Sequence, residues 1–327
     1  MTHPSLATGL IRSVLGDLEP QSLGATNYHE HLFQVSRVLP GDELDDEEKS
    51  SAEAGLLRAS GFTAMVDATP LGLGQNPEGV ARISAKHDLA VVATTGRHRE
   101  EHYGGDHWVR NFSDDTLAEA FVRDLTMGMP VDEGAHLLET AHSPAGSPVR
   151  AGILKAGIGY WAISTFERQT LDALSVAHNA TGAPVMIHLE FGTAAHEVLD
   201  LLAHNQVDAS SVALAHMDRN LDPGLHASLA ERGAYLGYDG MARAKSHSDH
   251  SLLELTRLVV EKVGADKILL GGDVARASRY IAYGGMPGIQ YLGERYIPRL
   301  REILGEKAMS QILVTNPATW LTWKELS

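Results

Sequence analysis

The sequence predicts an α/β fold, a (β/α)8 TIM barrel with a short N-terminal hairpin extension. Three observations predict it. Eight short apolar runs alternate with segments of helical periodicity along the chain. Several of those runs finish on a residue type that binds metal: His29 and His31, Lys155, His188, His216 and Asp273. The third is length: 327 residues, 43% hydrophobic, suit one barrel with modest insertions better than two independent domains. Residues 1–327 are therefore read as a single domain.

Taken in order, residues 1–24 precede the first barrel strand, and 11–15 is expected to pair with 22–25 in a hairpin that caps the barrel floor. Strands are expected over 25–31, 64–68, 89–94, 151–155, 184–188, 212–216, 234–237 and 268–272. Each is a Val-, Ile-, Leu- or Ala-rich run of the kind buried on both faces in a parallel sheet. The acidic run 42–48 reads as a solvated helix start. Between strands, Ala194, Val198, Leu201 and Leu202 repeat at helical spacing with Thr193 as the expected N-cap. Leu252, Leu255, Val259 and Val263 repeat that stripe ahead of the last strand, and Gly182 stops the helix before Pro184. The stretch from about 97 to 150 is rich in Gly, Pro, His and acidic residues; it is expected to hold a helix over 117–125 and an irregular loop near the mouth. Its His102, His107, His136 and His142 are read as surface or supporting groups rather than ligands, His247 and His250 as solvent-facing, and Trp320 and Trp323 as packing on the barrel wall.

Composition narrows the function. A formal net charge of −15 disfavours nucleic acid and anionic membrane as partners. The chain has no Cys, which excludes disulfides, thiolate metal sites and cysteine nucleophiles. No basic start followed by an apolar run is visible, and no stretch is long and apolar enough for a bilayer, so a cytoplasmic protein is expected.

The metal reading rests on spacing. Residues i and i+2 of a strand share a face, so His29 and His31 can grip one cation while Glu30 points away. Each histidine alone reads more often as a satisfied core or surface residue than as a ligand, but four in matching positions on three strands favour a shared ligand role. Asp273 follows two glycines at a strand end; it can cap the next helix, or serve as ligand and general base. Lys155 is the misfit, since an ammonium aimed at cations is repelled. It either reaches solvent or a carboxylate, or its neutral amine has taken up carbon dioxide to give a metal-bridging carbamate.

With His29-Glu-His31, Lys155 in Arg-Ala-Gly-Ile-Leu-Lys, His188, His216, Asp273 and the closing Thr-Asn-Pro-Ala-Thr-Trp-Leu, the chain resembles the phosphotriesterase family of the amidohydrolase superfamily over nearly its whole length. The resemblance implies two divalent metal ions, with Zn2+ the expected identity. His29, His31 and Asp273 would bind the buried metal, and His188 and His216 the exposed one. Lys155, as N6-carboxylysine, would bridge them together with a hydroxide. It implies metal-assisted hydrolysis in which Asp273 carries the proton to the leaving group, and a homodimer.

Substrate choice is assigned to the loops after strands seven and eight, which often build phosphate sites in such barrels. Arg243 and Lys245 follow strand seven; Arg276, Arg279, Tyr280 and Tyr283 follow strand eight. On an acidic chain this cluster suggests a small anionic substrate, although pairing with Asp239 and Asp249 would account for single members. Gly-Gly-Asp-Val-Ala-Arg resembles the branch containing phosphorylated sugar lactonases, which implies that Lys245, Arg276 and a tyrosine such as Tyr280 hold a phosphate, with Arg279 beside them. Arg97, His98 and Arg99 after strand three make a polar mouth suited to a hydroxyl-rich ligand, with His98 a substrate contact. The alternatives are a promiscuous acyl-lactonase or phosphotriesterase, and a barrel that binds a small ligand without turning it over.

Overall fold

A computed structural model describes residues 6–132 and 139–326. Its central sheet is eight parallel strands in sequence order: β3 (Thr26–Glu30), β4 (Ala64–Asp67), β5 (Ala90–Arg97), β6 (Ala151–Ile158), β7 (Val185–Leu189), β8 (Val212–Ala215), β9 (Tyr235–Tyr238) and β10 (Ile268–Leu270). Every strand residue except Ala90 is buried, which is why these runs lack a polar alternation. The seam between β10 and β3 is closed where the Asp273 N–H donates to the His29 carbonyl at 2.9 Å. The architecture is the expected (β/α)8 barrel.

Helices cover the outside: α1 (Glu47–Ala59), α2 (Pro77–His87), α3 (Asp114–Thr126), α4 (Thr165–Thr181), α5 (Ala195–His204), α6 (Pro223–Glu231), α7 (Asp249–Val263), α8 (Ile297–Ser310, broken at Gly305) and α9 (Asn316–Leu321). Their starts follow side-chain chemistry. Asp46, Ser113, Ser164 and Ser248 each accept a backbone N–H from the first turn. Gly182 ends α4 at φ 78°, a left-handed conformation in which a Cβ would run into the Lys324 backbone. Trp320 and Trp323 are buried as expected, and their indole N–H groups donate to the carbonyls of Val185 (3.3 Å) and Gly152 (2.9 Å), locking the C-terminus onto the barrel. No helix among the described residues is long and apolar enough to cross a membrane.

Three local expectations need correction. The floor hairpin pairs β1 (Ile11–Ser13) with β2 (Gly16–Leu18), not with 22–25. Gly16 at φ 134° makes the tight turn, Arg12 pairs with Asp17 across it at 2.8 Å, and Pro20–Ser22 coils into a single 3-10 turn instead. Thr193 does not cap α5: Ala194 stands at that position with φ 58°, while the Thr193 hydroxyl accepts the Trp161 N–H (3.1 Å) and donates to the Glu190 carbonyl (2.7 Å). Lys155 does not end its strand, because β6 continues to Ile158. His136 lies outside the described residues.

Candidate functional site

The C-terminal ends of the strands bring all six expected ligands together. His29 lies within β3 and His31 one residue past it, and both Nε2 atoms face Asp273 Oδ1, at 3.7 and 3.6 Å. Asp273 reaches them through the left-handed φ of 41° that follows Gly271 and Gly272. A Cβ at Gly272 would collide with the Glu30 carboxylate, so this approach requires glycine. Lys155, fully buried, places Nζ 3.5 Å from His29 Nε2 and donates to the Ala68 carbonyl at 2.7 Å. His188 points from β7, and His216, at φ 65° directly after β8, sets its Nε2 2.7 Å from His188 Nδ1.

The surrounding hydrogen bonds fix which nitrogen of each ring is bare. Asp239, buried at the end of β9, accepts from His29 Nδ1 (3.2 Å) and His216 Nδ1 (2.6 Å), and from the Tyr28 hydroxyl. Thr69 spends its hydroxyl proton on the Phe33 carbonyl, so it accepts from His31 Nδ1 at 2.7 Å. Glu190 Oε2 lies 3.3 Å from His188 Nε2 and takes that ring's proton donor. These partners leave lone pairs on His29 Nε2, His31 Nε2, His216 Nε2 and His188 Nδ1, all turned inward. The lone pairs of His188 and His216 then face one another across 2.7 Å, which is repulsive without a cation or proton between them. The donor set therefore fits a divalent metal, and His29, His31 and Asp273 form a group close enough to share one ion, as do His29, His216 and Asp239.

Electrostatics agree. Burial lowers His31 and His216 to about 3 and takes His188 well below 6.5, so the imidazoles are neutral and able to coordinate. Burial pushes Asp273 and Asp239 upward, but the Arg243 guanidinium beside the first, and the hydrogen bonds from His216 and His29 to the second, outweigh it and hold both ionised. Lys155 falls to about 8, chiefly through burial, which brings a minor fraction of neutral amine within reach near neutral pH.

These groups open into a pocket of about 180 Å3 whose rim carries Arg99, Arg219, Arg243 and Arg276 against Glu190 and Asp273. Arg243 and Arg219 reach Asp273 Oδ2 at 2.6 and 3.2 Å, and Arg99 pairs with Glu190 at 2.5 Å. Arg99 Nε, Arg243 Nε and Arg279 Nη1 are buried without a hydrogen-bond partner among the described residues. His98 lines the same pocket; its Nδ1 accepts the Arg99 N–H at 2.7 Å, so Nε2 carries the proton. Its ring stacks on buried His102 at 3.8 Å and lies 4.5 Å from His188.

The other expected substrate contacts are scattered. Arg276 lines the pocket, 3.8 Å from Asp42. Lys245 is exposed and is not among the lining residues. Arg279 lies beside the pocket with Nη2 3.4 Å from the Met241 carbonyl. Tyr280 is fully buried and donates to the His31 carbonyl at 2.6 Å, supporting a ligand loop instead of facing the mouth. His142 and His250 are exposed as expected, whereas half-buried His247 sets Nε2 3.2 Å from the Arg219 carbonyl.

Asp239, Glu190 and Arg219 were not singled out as site residues in the sequence. Asp239 was detectable, because it ends the run Tyr-Leu-Gly-Tyr as the other ligands end theirs. Glu190 and Arg219 follow His188 and His216 by two and three residues, in loops where strand periodicity carries no information.

Residues 9–321 match the model of the phosphotriesterase family. A phospho-furanose lactonase of Mycoplasmopsis agalactiae is 28% identical over 96% of this chain and 92% of its own length. An N-acetyltaurine hydrolase of Danio rerio is 25% identical over 97% of this chain and 99% of its own. Among solved structures, a lactonase from Listeria monocytogenes superposes with a TM-score of 0.86 at 30% identity, over 97% of this chain and all of the other.

Proposed function

The chain belongs to the phosphotriesterase family, whose members are metal-dependent hydrolases, and we propose that it opens a small phosphorylated sugar lactone. The observation that carries this reading is the composition of one pocket. About 180 Å3 of space joins the buried imidazole, lysine and carboxylate cluster to four arginines on a chain of net charge −15. So small a space suits a compact ring, and a cationic rim on an acidic protein selects an anion. The phospho-furanose lactonase relative supports the same substrate class.

His29, His31 and Asp273 would hold one divalent cation and His188 with His216 the other, with carboxylated Lys155 between them and zinc the expected metal. Bound there, the cations would supply Lewis acidity and a coordinated water of lowered pKa. The protein's own groups do the rest. Arg276 and Arg99 orient the phosphate at the rim. His98 donates from Nε2 to a ring hydroxyl, as a neutral group whose tautomer its own backbone neighbour fixes. Asp273, kept ionised between Arg219 and Arg243, accepts the proton released by the attacking water and returns it to the ring oxygen as the ester bond breaks.

The test is a panel assay of zinc-loaded protein with phosphorylated lactones, their unphosphorylated parents and N-acetyltaurine. The expected result is preference for the phosphorylated lactones, with Arg276→Ala raising their KM by about tenfold and sparing the parents. Good turnover of the parents with none of the phosphorylated compounds would sink the proposal. Turnover of N-acetyltaurine alone would redirect it to amides that carry an anion.

A further inference from the structure

Beside the metal pocket lies a second, wider one. It is open, about 540 Å3 in volume, and its walls carry Tyr160 and Trp161 from the loop after β6, Phe191 after β7, and Asn220 and Leu221 after β8, with Arg219 between. Among the aromatic side chains of the described residues, only Tyr160 (62%), Trp161 (64%) and Phe191 (48%) are strongly exposed, and all three line this one concavity. Exposed aromatic rings scattered singly need no explanation; three gathered in a hollow do.

The backbone holds them there against its own preference. Trp161 and Phe191 have φ of 53° and 54°, a left-handed conformation costly for bulky side chains. The Trp161 N–H is tied to the Thr193 hydroxyl, and that hydroxyl to the Glu190 carbonyl. The Tyr160 and Phe191 rings meet edge to face at 6.1 Å. The two loops are thus bound to each other and to Glu190, whose carboxylate touches His188.

Arg219 belongs to both pockets. Its guanidinium reaches Asp273 at 3.2 Å and Glu190 at 3.9 Å on the inner side, and it forms part of the outer wall. A ligand in the outer pocket therefore lies against the group that contacts the expected general base. We infer that the outer pocket admits a further class of substrate beside the sugar lactones: lactones that carry a flat apolar ring on their non-reacting side. The ring would pack among Tyr160, Trp161 and Phe191, and Arg219 and Asn220 would meet any polar substituent. Its volume falls in the range of small-molecule sites, and aromatic walls with a few polar groups are what such sites use. The inference rests on the hydrolytic reading only in taking the inner pocket as the reacting end; the arginine rim at Arg276 lies on loops other than these.

The experiment uses zinc-loaded full-length protein with γ-butyrolactone and a phenyl-substituted γ-butyrolactone as probes. Trp161 is the one strongly exposed tryptophan, so acrylamide quenching reports on it without any turnover. The phenyl lactone is expected to shield that fluorescence and the parent lactone not to. The ratio of kcat/KM for phenyl over parent lactone is expected to exceed about tenfold and to fall toward one in Phe191→Ala and Trp161→Ala. Absence of shielding, or a ratio unaltered in both variants, overturns the subsite. Shielding without turnover of either lactone upholds the subsite, whereas the lactonase reading is defeated only by absent turnover of the phosphorylated sugar lactones, so the two fail separately. Sedimentation showing a second copy of the chain seated on these rings would also overturn it.

Discussion

Replacing Asp239 by Asn tests how the imidazoles are aimed. In the structure one buried carboxylate accepts from His29 Nδ1 at 3.2 Å and from His216 Nδ1 at 2.6 Å, and so serves rings assigned to both metals. Asn keeps one acceptor oxygen but presents an NH2 to the other ring. The ring facing that NH2 must accept, so its proton moves to Nε2 and the inward lone pair is lost. A charge-assisted hydrogen bond is worth roughly 1.5–3 kcal/mol, and removing such outer partners typically weakens metal binding about 10–100-fold. Zinc competition against a chelator, run on wild type and Asp239→Asn, should show a loss in that range, with activity partly restored at saturating zinc. Tyr28→Phe, which removes only the hydroxyl on the same carboxylate, should show a much smaller loss. Unchanged zinc affinity in Asp239→Asn would refute the tautomer assignment.

Further outcomes follow from single residues. Because burial brings Lys155 to about 8, native mass spectrometry of protein equilibrated with zinc and bicarbonate should show one added carbon dioxide, absent from Lys155→Met; no addition at pH 9, where the amine is mostly neutral, would contradict the carbamate. Glu30 is pushed from 4.5 to about 8, first by burial and then by Asp273, so the folded chain holds its proton more tightly than the unfolded one. That contribution is complete below pH 4.5 and is lost as pH rises through about 8. Metal-free Glu30→Gln should therefore lose less stability than wild type between pH 5 and pH 8.5, by on the order of 2–4 kcal/mol in urea unfolding, and parallel losses would show that the carboxyl is already ionised. Gly96 sits at φ 125° with its missing Cβ aimed at the Lys155 carbonyl, so Gly96→Ala should cost more than about 4 kcal/mol and shift Lys155; a variant of wild-type stability would contradict this packing.

The barrel was legible because strands buried on both faces write themselves as apolar runs, and a parallel sheet places the end of each run on one rim. That rule brought His29, His31, His188, His216 and Asp273 to one place, and Lys155 with them although its strand runs three residues further. It stopped at the strand ends. His216, Asp273 and Ala194 leave their strands or enter their helix through left-handed φ, which sequence patterns give no means of anticipating for residues other than Gly. The same limit explains Tyr280, whose position after strand eight suggested the mouth but whose hydroxyl turns back to the His31 carbonyl. It also explains Lys245, placed in the right loop yet exposed to solvent. Thr193 had the composition of a helix cap, but the Trp161 N–H and the Glu190 carbonyl claim its hydroxyl.

The most direct test of the account is anomalous scattering at the zinc edge from crystals grown with zinc and bicarbonate. Two neighbouring peaks are expected, one among His29, His31 and Asp273 and the other between His188 and His216, with density continuous from Lys155 to both. A single peak elsewhere on the surface, or none at these side chains under saturating metal, would contradict it.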